Sequence, residues 1–324
     1  SRNGATALEI RTGTSTDENI YIGLNSGLAN TAGYYNAAAG VSALRSNTTG
    51  HSNSALGYNS LYSNTTGYRN VALGYYSLRS NTTSGDNVAI GYNALTSNLT
   101  TNSNVAIGSG ALKSSIASEN VAIGTDALTF NTTGGRNSLV GAAALYNNNS
   151  ATNTTAFGYK AGFGVAGTSN QNNSLFGYAA GLGLSTGSNN LLLGYQAGDA
   201  LTTGSNNIVI GYDIDAPAVD SANTLNIGNL IFGTSIDGTG TTISSGNIGV
   251  GTTTPSAKLA VHGNALFSGN LSLANLTATG TLTLSGTTGS SSVMHAFGVG
   301  TSTPWGLLSV EMDTRNPSFV VSNQ

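Results

Sequence analysis

Short apolar runs, each closed by a glycine, recur along the chain with the spacing of a repeat. The closing glycines are Gly23, Gly40, Gly57, Gly74, Gly91, Gly108, Gly124, Gly141, Gly158, Gly177, Gly194, Gly211 and Gly228. Ten of the twelve intervals are seventeen residues; the others are sixteen, after Gly108, and nineteen, after Gly158. Asn stands four places before the glycine in eleven of the thirteen repeats, as in Asn70-Val71-Ala72-Leu73-Gly74. Seventeen residues is too few for the common helical repeats, which run past about thirty. It suffices for one coil of a β-solenoid, expected as two short strands and two turns. After a leading strand or cap over 1–18, residues 19–236 predict an all-β roll of about 13 coils.

The columns of the repeat assign faces. The residue before the glycine is apolar in every coil, from Ile22 to Ile227. Val71, Val88, Val105 and Val121 stand two places earlier, on the same side of a period-two strand. Between them lies Ala in seven coils, including Ala55, Ala72, Ala89, Ala106 and Ala122. Leu44, Leu61, Leu78, Leu95, Leu112, Leu128 and Leu145 follow the glycine by four and are expected to close a thin core with the branched column. That assignment turns the Ala column outward, as a flat face open to close approach by a second subunit; the alternative is that Ala packs inside a wider coil. Tyr follows the glycine directly in seven coils, among them Tyr58, Tyr75, Tyr92, Tyr195 and Tyr212. Coils stacked about 4.8 Å apart align these rings in ladders, and thirteen coils span roughly 60 Å. Ser46-Asn47-Thr48-Thr49-Gly50 and its equivalents supply the turns.

The register stops after Asp237, and residues 237–324 carry a different unit. Gly249-Val250-Gly251-Thr252-Thr253-Thr254-Pro255 precedes Leu259-Ala260-Val261, and Gly298-Val299-Gly300-Thr301-Ser302-Thr303-Pro304 precedes Leu308-Ser309-Val310. Between the two copies, Leu271-Ser272-Leu273 and Leu282-Thr283-Leu284 alternate like short strands. Such strands are too thin to bury a core alone. An intertwined multi-chain β stalk is expected here.

The Asn-Val-Ala-Ile-Gly repeats at Asn87–Gly91, Asn104–Gly108 and Asn120–Gly124 resemble the head domains of trimeric autotransporter adhesins. The Gly-Val-Gly-Thr-x-Thr-Pro units resemble the shafts of phage tail fibres and large surface proteins. The first resemblance implies a left-handed parallel β-roll, packed three to an axis, although seventeen residues exceeds the usual adhesin coil. Together they imply a homotrimer, with Ala72, Ala89 and Ala106 expected at its interface. They also imply an extracellular setting, at a cell surface or on a virion. The chain starts at Ser1 without an initiator Met and stops within a patterned stretch, so a segment of a longer chain is expected.

Composition narrows the chemistry. Asp, Glu, Lys and Arg make up 7% of the chain, against roughly 25% in typical soluble domains. Catalysis draws on several unlike charged groups, so the deficit argues against most enzymes. The net charge of −3 gives no reason to expect a nucleic-acid or acidic-lipid partner. No run approaches the ~20 apolar residues of a membrane-spanning helix, so no membrane insertion is expected in this segment. Gly, Asn, Ser and Thr fill the place of charge, and cysteine is absent.

No catalytic, cofactor-binding or metal-ligating residues are expected, and no cofactor. His51, His262 and His295 lack partners at ligand spacing. Asp213, Asp215 and Asp220 read as a solvated cap on the last coils, since no calcium-loop pattern surrounds them. Asn47, Asn64, Asn81, Asn131 and Asn275 begin glycosylation sequons that turn chemistry alone would produce. The Gly-x-Gly elements at Gly249 and Gly298 read as turns, and Trp305 as packing at a stalk joint. The expected function is a structural and adhesive fibre subunit whose partner, beyond itself, is a surface receptor or glycan. A phage tail-fibre shaft is the alternative. A β-helical polysaccharide-acting enzyme lacks a convergent charged set, and an ice-binding solenoid is disfavoured because Thr48, Thr65 and Thr82 fall in turns.

Overall fold

The computed structural model describes residues 10–12, 18–268, 297–299 and 308–310. The chain divides into two units, Ser1–Ala265 and Leu266–Gln324. The described residues contain strands and turns but no helix. Thirteen three-residue strands, from β2 (Ile20–Ile22) to β14 (Leu225–Ile227), occupy the positions just before the repeat glycines. Twelve parallel pairings join them in register, so that Val71 stands beside Val88 and Ala72 beside Ala89. The result is a β-solenoid with coils of about seventeen residues. Gly74 shows why the closing residue is glycine. Its φ is +134°, and a Cβ there would lie 2.6 Å from the carbonyl oxygen of Gly91 on the next coil.

The strand faces are opposite to the sequence expectation. Ala55, Ala72, Ala89, Ala106 and Ala122 point into the roll and pack against the Leu44 to Leu145 column. The branched columns face out: Leu56 is 53% exposed and Val71 38%. Ala72, Ala89 and Ala106 therefore form no subunit interface; each is at most 1% exposed within the single chain. The reason is width. In the coils closed by Gly40 to Gly124 each layer holds one large side chain, the Leu after the glycine, leaving a methyl group's space on the strand. The period of two then turns the bulkier residues outward.

Each coil holds one strand rather than two. The second side is a ribbon in which left-handed residues alternate, such as Asn59 (φ 53°) and Leu61 (φ 50°). Its donors alternate in direction along the axis. The Asn59 N–H donates to Val41 O on the preceding coil at 3.1 Å, and the Leu61 N–H to Ser77 O on the following coil at 3.1 Å. The ladder is thus completed without extended backbone. A left-handed leucine costs about 1–2 kcal/mol, which complete burial of its side chain, worth about 1.5–3 kcal/mol, offsets.

The interior changes along the roll. In the coils closed by Gly40 to Gly124 the strand centre is Ala and the fourth residue after the glycine is Leu. Later the sizes are exchanged: Leu175 accompanies Gly181, and Leu192 accompanies Gly198. A Cβ on Gly181 would meet Leu184 Cδ1 at 2.8 Å and Leu192 Cδ1 at 3.0 Å. At the changeover, Leu139 and Leu145 fill one layer while Ala156 and Gly162 leave the next thin. Leu175 Cδ1 reaches into that gap, 2.5 Å from where a Gly162 Cβ would lie.

Buried asparagines bind the coils together. The Asn53 N–H donates to Asn36 Oδ1 at 3.0 Å, Asn70 to Asn53 at 3.0 Å and Asn87 to Asn70 at 3.1 Å. Each side-chain amide also crosses the roll, as Asn53 Nδ2 does to Gly67 O at 2.9 Å. This ladder continues to the Asn207 N–H on Asn190 Oδ1 at 3.0 Å and to Thr224 beyond it. A second ladder of Asn30, Asn47, Asn64 and Asn81 links Nδ2 to Oδ1 at 2.7–3.0 Å. It does not persist: Leu184 and Leu201, both buried, hold its places in the later coils. Around the nineteen-residue coil, Asn148 and Asn170 retain buried amide atoms with no hydrogen-bond partner.

The sheet reverses direction at both ends. Strand β1 (Ile10–Thr12) lies antiparallel to β2. At the far end β15 (Ile231–Gly233) is antiparallel to β14 and to β16 (Ile248–Val250). The terminal layers also depart from Ala. Tyr21 fills the first, over Gly27, where a Cβ would lie 2.4 Å from its ring. Asn226 occupies the last, donating to Asp215 O at 2.7 Å. Such breaks in pattern stop further coils from stacking. Beyond the roll, β16 pairs in parallel with β17 (Leu259–Val261), and in the second unit β18 (Phe297–Val299) pairs in parallel with β19 (Leu308–Val310). The two Gly-Val-Gly units therefore share one local geometry. Gly249 and Gly298 sit at the centres of strands rather than in turns, and Gly251 (φ 69°) begins the turn of the first unit.

Candidate binding surfaces

The outward face of the parallel sheet is an uncharged strip. The residue before each glycine is apolar in all thirteen coils, and nine of the thirteen leading residues are apolar as well. Near the start of the roll, the small side chains of Ala37 and Ala39 open a shallow groove bordered by Ile20, Ile22, Leu56 and Leu73.

The corner after each glycine carries the expected tyrosine ladders. Tyr58, Tyr75 and Tyr92 stack with centroids 5.2 and 5.5 Å apart. Tyr159, Tyr178, Tyr195 and Tyr212 follow at 5.0–5.4 Å. The rings cover one another's faces, leaving edges and hydroxyls toward solvent. Tyr76 lies beside Tyr75, 4.1 Å between centroids. Its hydrogen bond, followed by desolvation and the neighbouring phenols, pushes the Tyr75 hydroxyl up to about 12. Tyr195 is also raised, first by desolvation and then by Tyr212 and Tyr178.

A third surface joins cations to aromatics. Arg45, Tyr62 and Arg79 occupy one position on three successive coils. The Arg45 guanidinium lies 5.5 Å from the Tyr62 centroid and donates to its hydroxyl. Arg79 lies 5.7 Å from Tyr62 and 5.0 Å from Tyr76. No acid occurs between Glu18 and Asp86 in the sequence, and Asp86 already pairs with Arg69 at 3.0 Å. Neither Arg45 nor Arg79 has a carboxylate partner among the described residues.

No protein-family model, curated protein or solved structure matches this chain.

The residues singled out in the sequence are dispersed. His51 is half-buried in a stack between Tyr34, at 4.7 Å, and Tyr68, at 5.5 Å. His262 is exposed. Trp305, His295, Asn275, Leu271–Leu273 and Leu282–Leu284 lie outside the described residues. Asp215 accepts the Ala200 N–H at 3.1 Å. Desolvation raises its pKa, with Asp199 and Asp213 adding to the shift. Among the described residues no three His or acidic side chains come close enough to hold a metal, and no helix is long and apolar enough to cross a membrane. The sequon residues Asn47, Asn64, Asn81 and Asn131 are fully buried, so no glycan reaches them in the folded roll. Thr48, Thr65 and Thr82 donate their hydroxyls to carbonyls one coil on, at 2.9–3.1 Å, rather than presenting them to water. The Arg45–Tyr62–Arg79 column was missed in the sequence. The recurrence of Arg after exactly two coils was its available signal.

Proposed function

We propose that this chain is a structural and adhesive subunit of a homotrimeric extracellular surface fibre. The outward sheet face carries this reading: none of its residues is charged over thirteen strands. The strip measures roughly 60 by 7 Å, on the order of 400 Å² in projection. The largest apolar patch on a soluble monomer is typically about 300–600 Å² and is often functional. A second copy shares the rise per coil, so its side chains interleave along the whole length, which a partner of different pitch cannot match. Three copies around one axis cover the strip on every chain. The proposed contact runs through the Val88, Val105 and Val121 column and its Ile neighbours, in place of the Ala column. The roll would act as a rod and present its remaining sides for attachment; catalysis and cofactors form no part of the proposal. The paired Gly-Val-Gly units favour one second reading, the shaft of a phage tail fibre.

Light scattering tests the assembly. The expected mass is three times the 32.4 kDa of the chain, falling to a single chain when Val88, Val105 and Val121 are all changed to Gln. A wild-type chain that stays monomeric at micromolar concentration overturns the reading.

A further inference from the structure

The Arg45–Tyr62–Arg79 column has the composition of a recognition site and lies on the surface, while other groups hold the interior of the roll. Buried Asn ladders and the Leu column do that work on the same coils. Both arginines are half-buried, stacked on tyrosine and without a carboxylate partner among the described residues. Stacking holds each guanidinium in place, so little side-chain freedom remains to be lost on binding. Planar guanidinium recognises a carboxylate through two parallel hydrogen bonds. Arg45 and Arg79 are two coils apart, about 10 Å along the axis. That is close to the length of one disaccharide in an extended β-linked polysaccharide. Beside them the hydroxyls of Tyr58 and Tyr75 recur once per coil, close to the rise of a single sugar.

We infer that this face binds an acidic polysaccharide with a carboxylate on alternate sugars, lying along the roll axis with successive uronates on Arg45 and Arg79. Tyr62 sits between them beneath the intervening neutral sugar, and the tyrosine edges donate to ring hydroxyls. Two guanidiniums are too few to hold a nucleic acid, whose affinity depends on neutralising many phosphates. The inference rests on the adhesive reading and gives it a ligand class. The two fail separately, since mass decides the trimer and titration decides the ligand.

The experiment is calorimetric titration of the full chain at physiological salt. Its probes are a hyaluronan octasaccharide, a neutral N-acetylglucosamine oligomer and a single-stranded DNA oligomer. The hyaluronan probe is expected to bind at least tenfold more tightly than either other probe. Arg45→Gln and Arg79→Gln should each weaken it at least tenfold with unchanged melting temperature. Arg136→Gln, on a distant coil, should leave it unaltered. Arg45→Lys, which keeps the charge but not the paired geometry, should fall between wild type and Arg45→Gln. Hyaluronan binding no tighter than the neutral oligomer, tighter DNA binding, or full affinity in the Gln variants would each overturn the inference.

Discussion

In the coils closed by Gly57 to Gly108 the interior is Ala on the strand against Leu on the ribbon, with Asn64 and Asn81 buried alongside. In those closed by Gly177 and Gly194 it is Leu against Gly, with Leu184 and Leu201 where the asparagines stood. The charges differ as well. Residues 19–85 hold Arg45, Arg69 and Arg79 without an acid, whereas residues 191–237 hold Asp199, Asp213, Asp215, Asp220 and Asp237 without a base. Yet the same backbone runs through both regions, with one glycine column and one Asn ladder in common. The comparison teaches which constraints are strict. Close approach of coils at the glycine corner and satisfaction of backbone donors admit little substitution, while the interior requires a volume and accepts it from either wall.

Four perturbations test that separation. The largest loss is expected at the shared corner. Gly74→Ala and Gly194→Ala place a Cβ 2.6 and 1.9 Å from the next coil's carbonyl oxygen. Each should cost at least about 4 kcal/mol by urea unfolding; a tolerated substitution in one region alone would break the claim of a common backbone. Next is the exchange of core types. Leu78→Gly should cost about 3–5 kcal/mol and Ala72→Leu about 1–3 kcal/mol. The double variant, which imitates the later coils, should recover at least about 1 kcal/mol of their sum, and simple additivity would refute volume exchange.

A smaller effect is expected in the second ladder. Asn64→Ala leaves Asn81 Nδ2 and Asn47 Oδ1 without each other's bridge, at about 1–3 kcal/mol. Leu184→Ala, at the equivalent place, should cost more, since it opens a cavity of about 2–5 kcal/mol in consequence. The reverse order in thermal melts would count against it. The smallest effect is at high pH. Folding raises the Tyr75 pKa from 10.0 to about 12, so the folded chain holds that proton after the unfolded chain has lost it. The associated stability is present below pH 10 and declines as pH climbs toward 12. Tyr76→Phe removes the leading cause, so near-ultraviolet titration should show Tyr75 moving down while Tyr195 stays raised. An unmoved Tyr75 would deny the hydrogen bond its role.

Much of the architecture is legible before folding. The glycine interval marks the thirteen strands β2 to β14, because a residue with φ near +134° and a carbonyl at its back, as at Gly74, must be glycine. The tyrosine ladders follow from the same interval, since equal spacing in sequence becomes stacking in space. The candidate glycan face was less legible. Arg45 and Arg79 are separated by thirty-four residues, and only the coil places Tyr62 between them. Asn47-Thr48-Thr49 reads as a turn from sequence alone, and only the coil shows that the turn folds its amide inward to join a buried ladder.

The sequence by itself determined the period, the all-β class and the in-register stacking, because identical positions seventeen residues apart pair most favourably with one another. Only the tertiary structure decided which face is inside. Alternation distinguishes two sides of a strand without naming the buried one, and Ala and Val are both compatible with either. The width of a closed seventeen-residue coil settles the choice. In the coils closed by Gly40 to Gly124 one leucine fills each layer, the methyl groups complete it, and the branched residues are left outside.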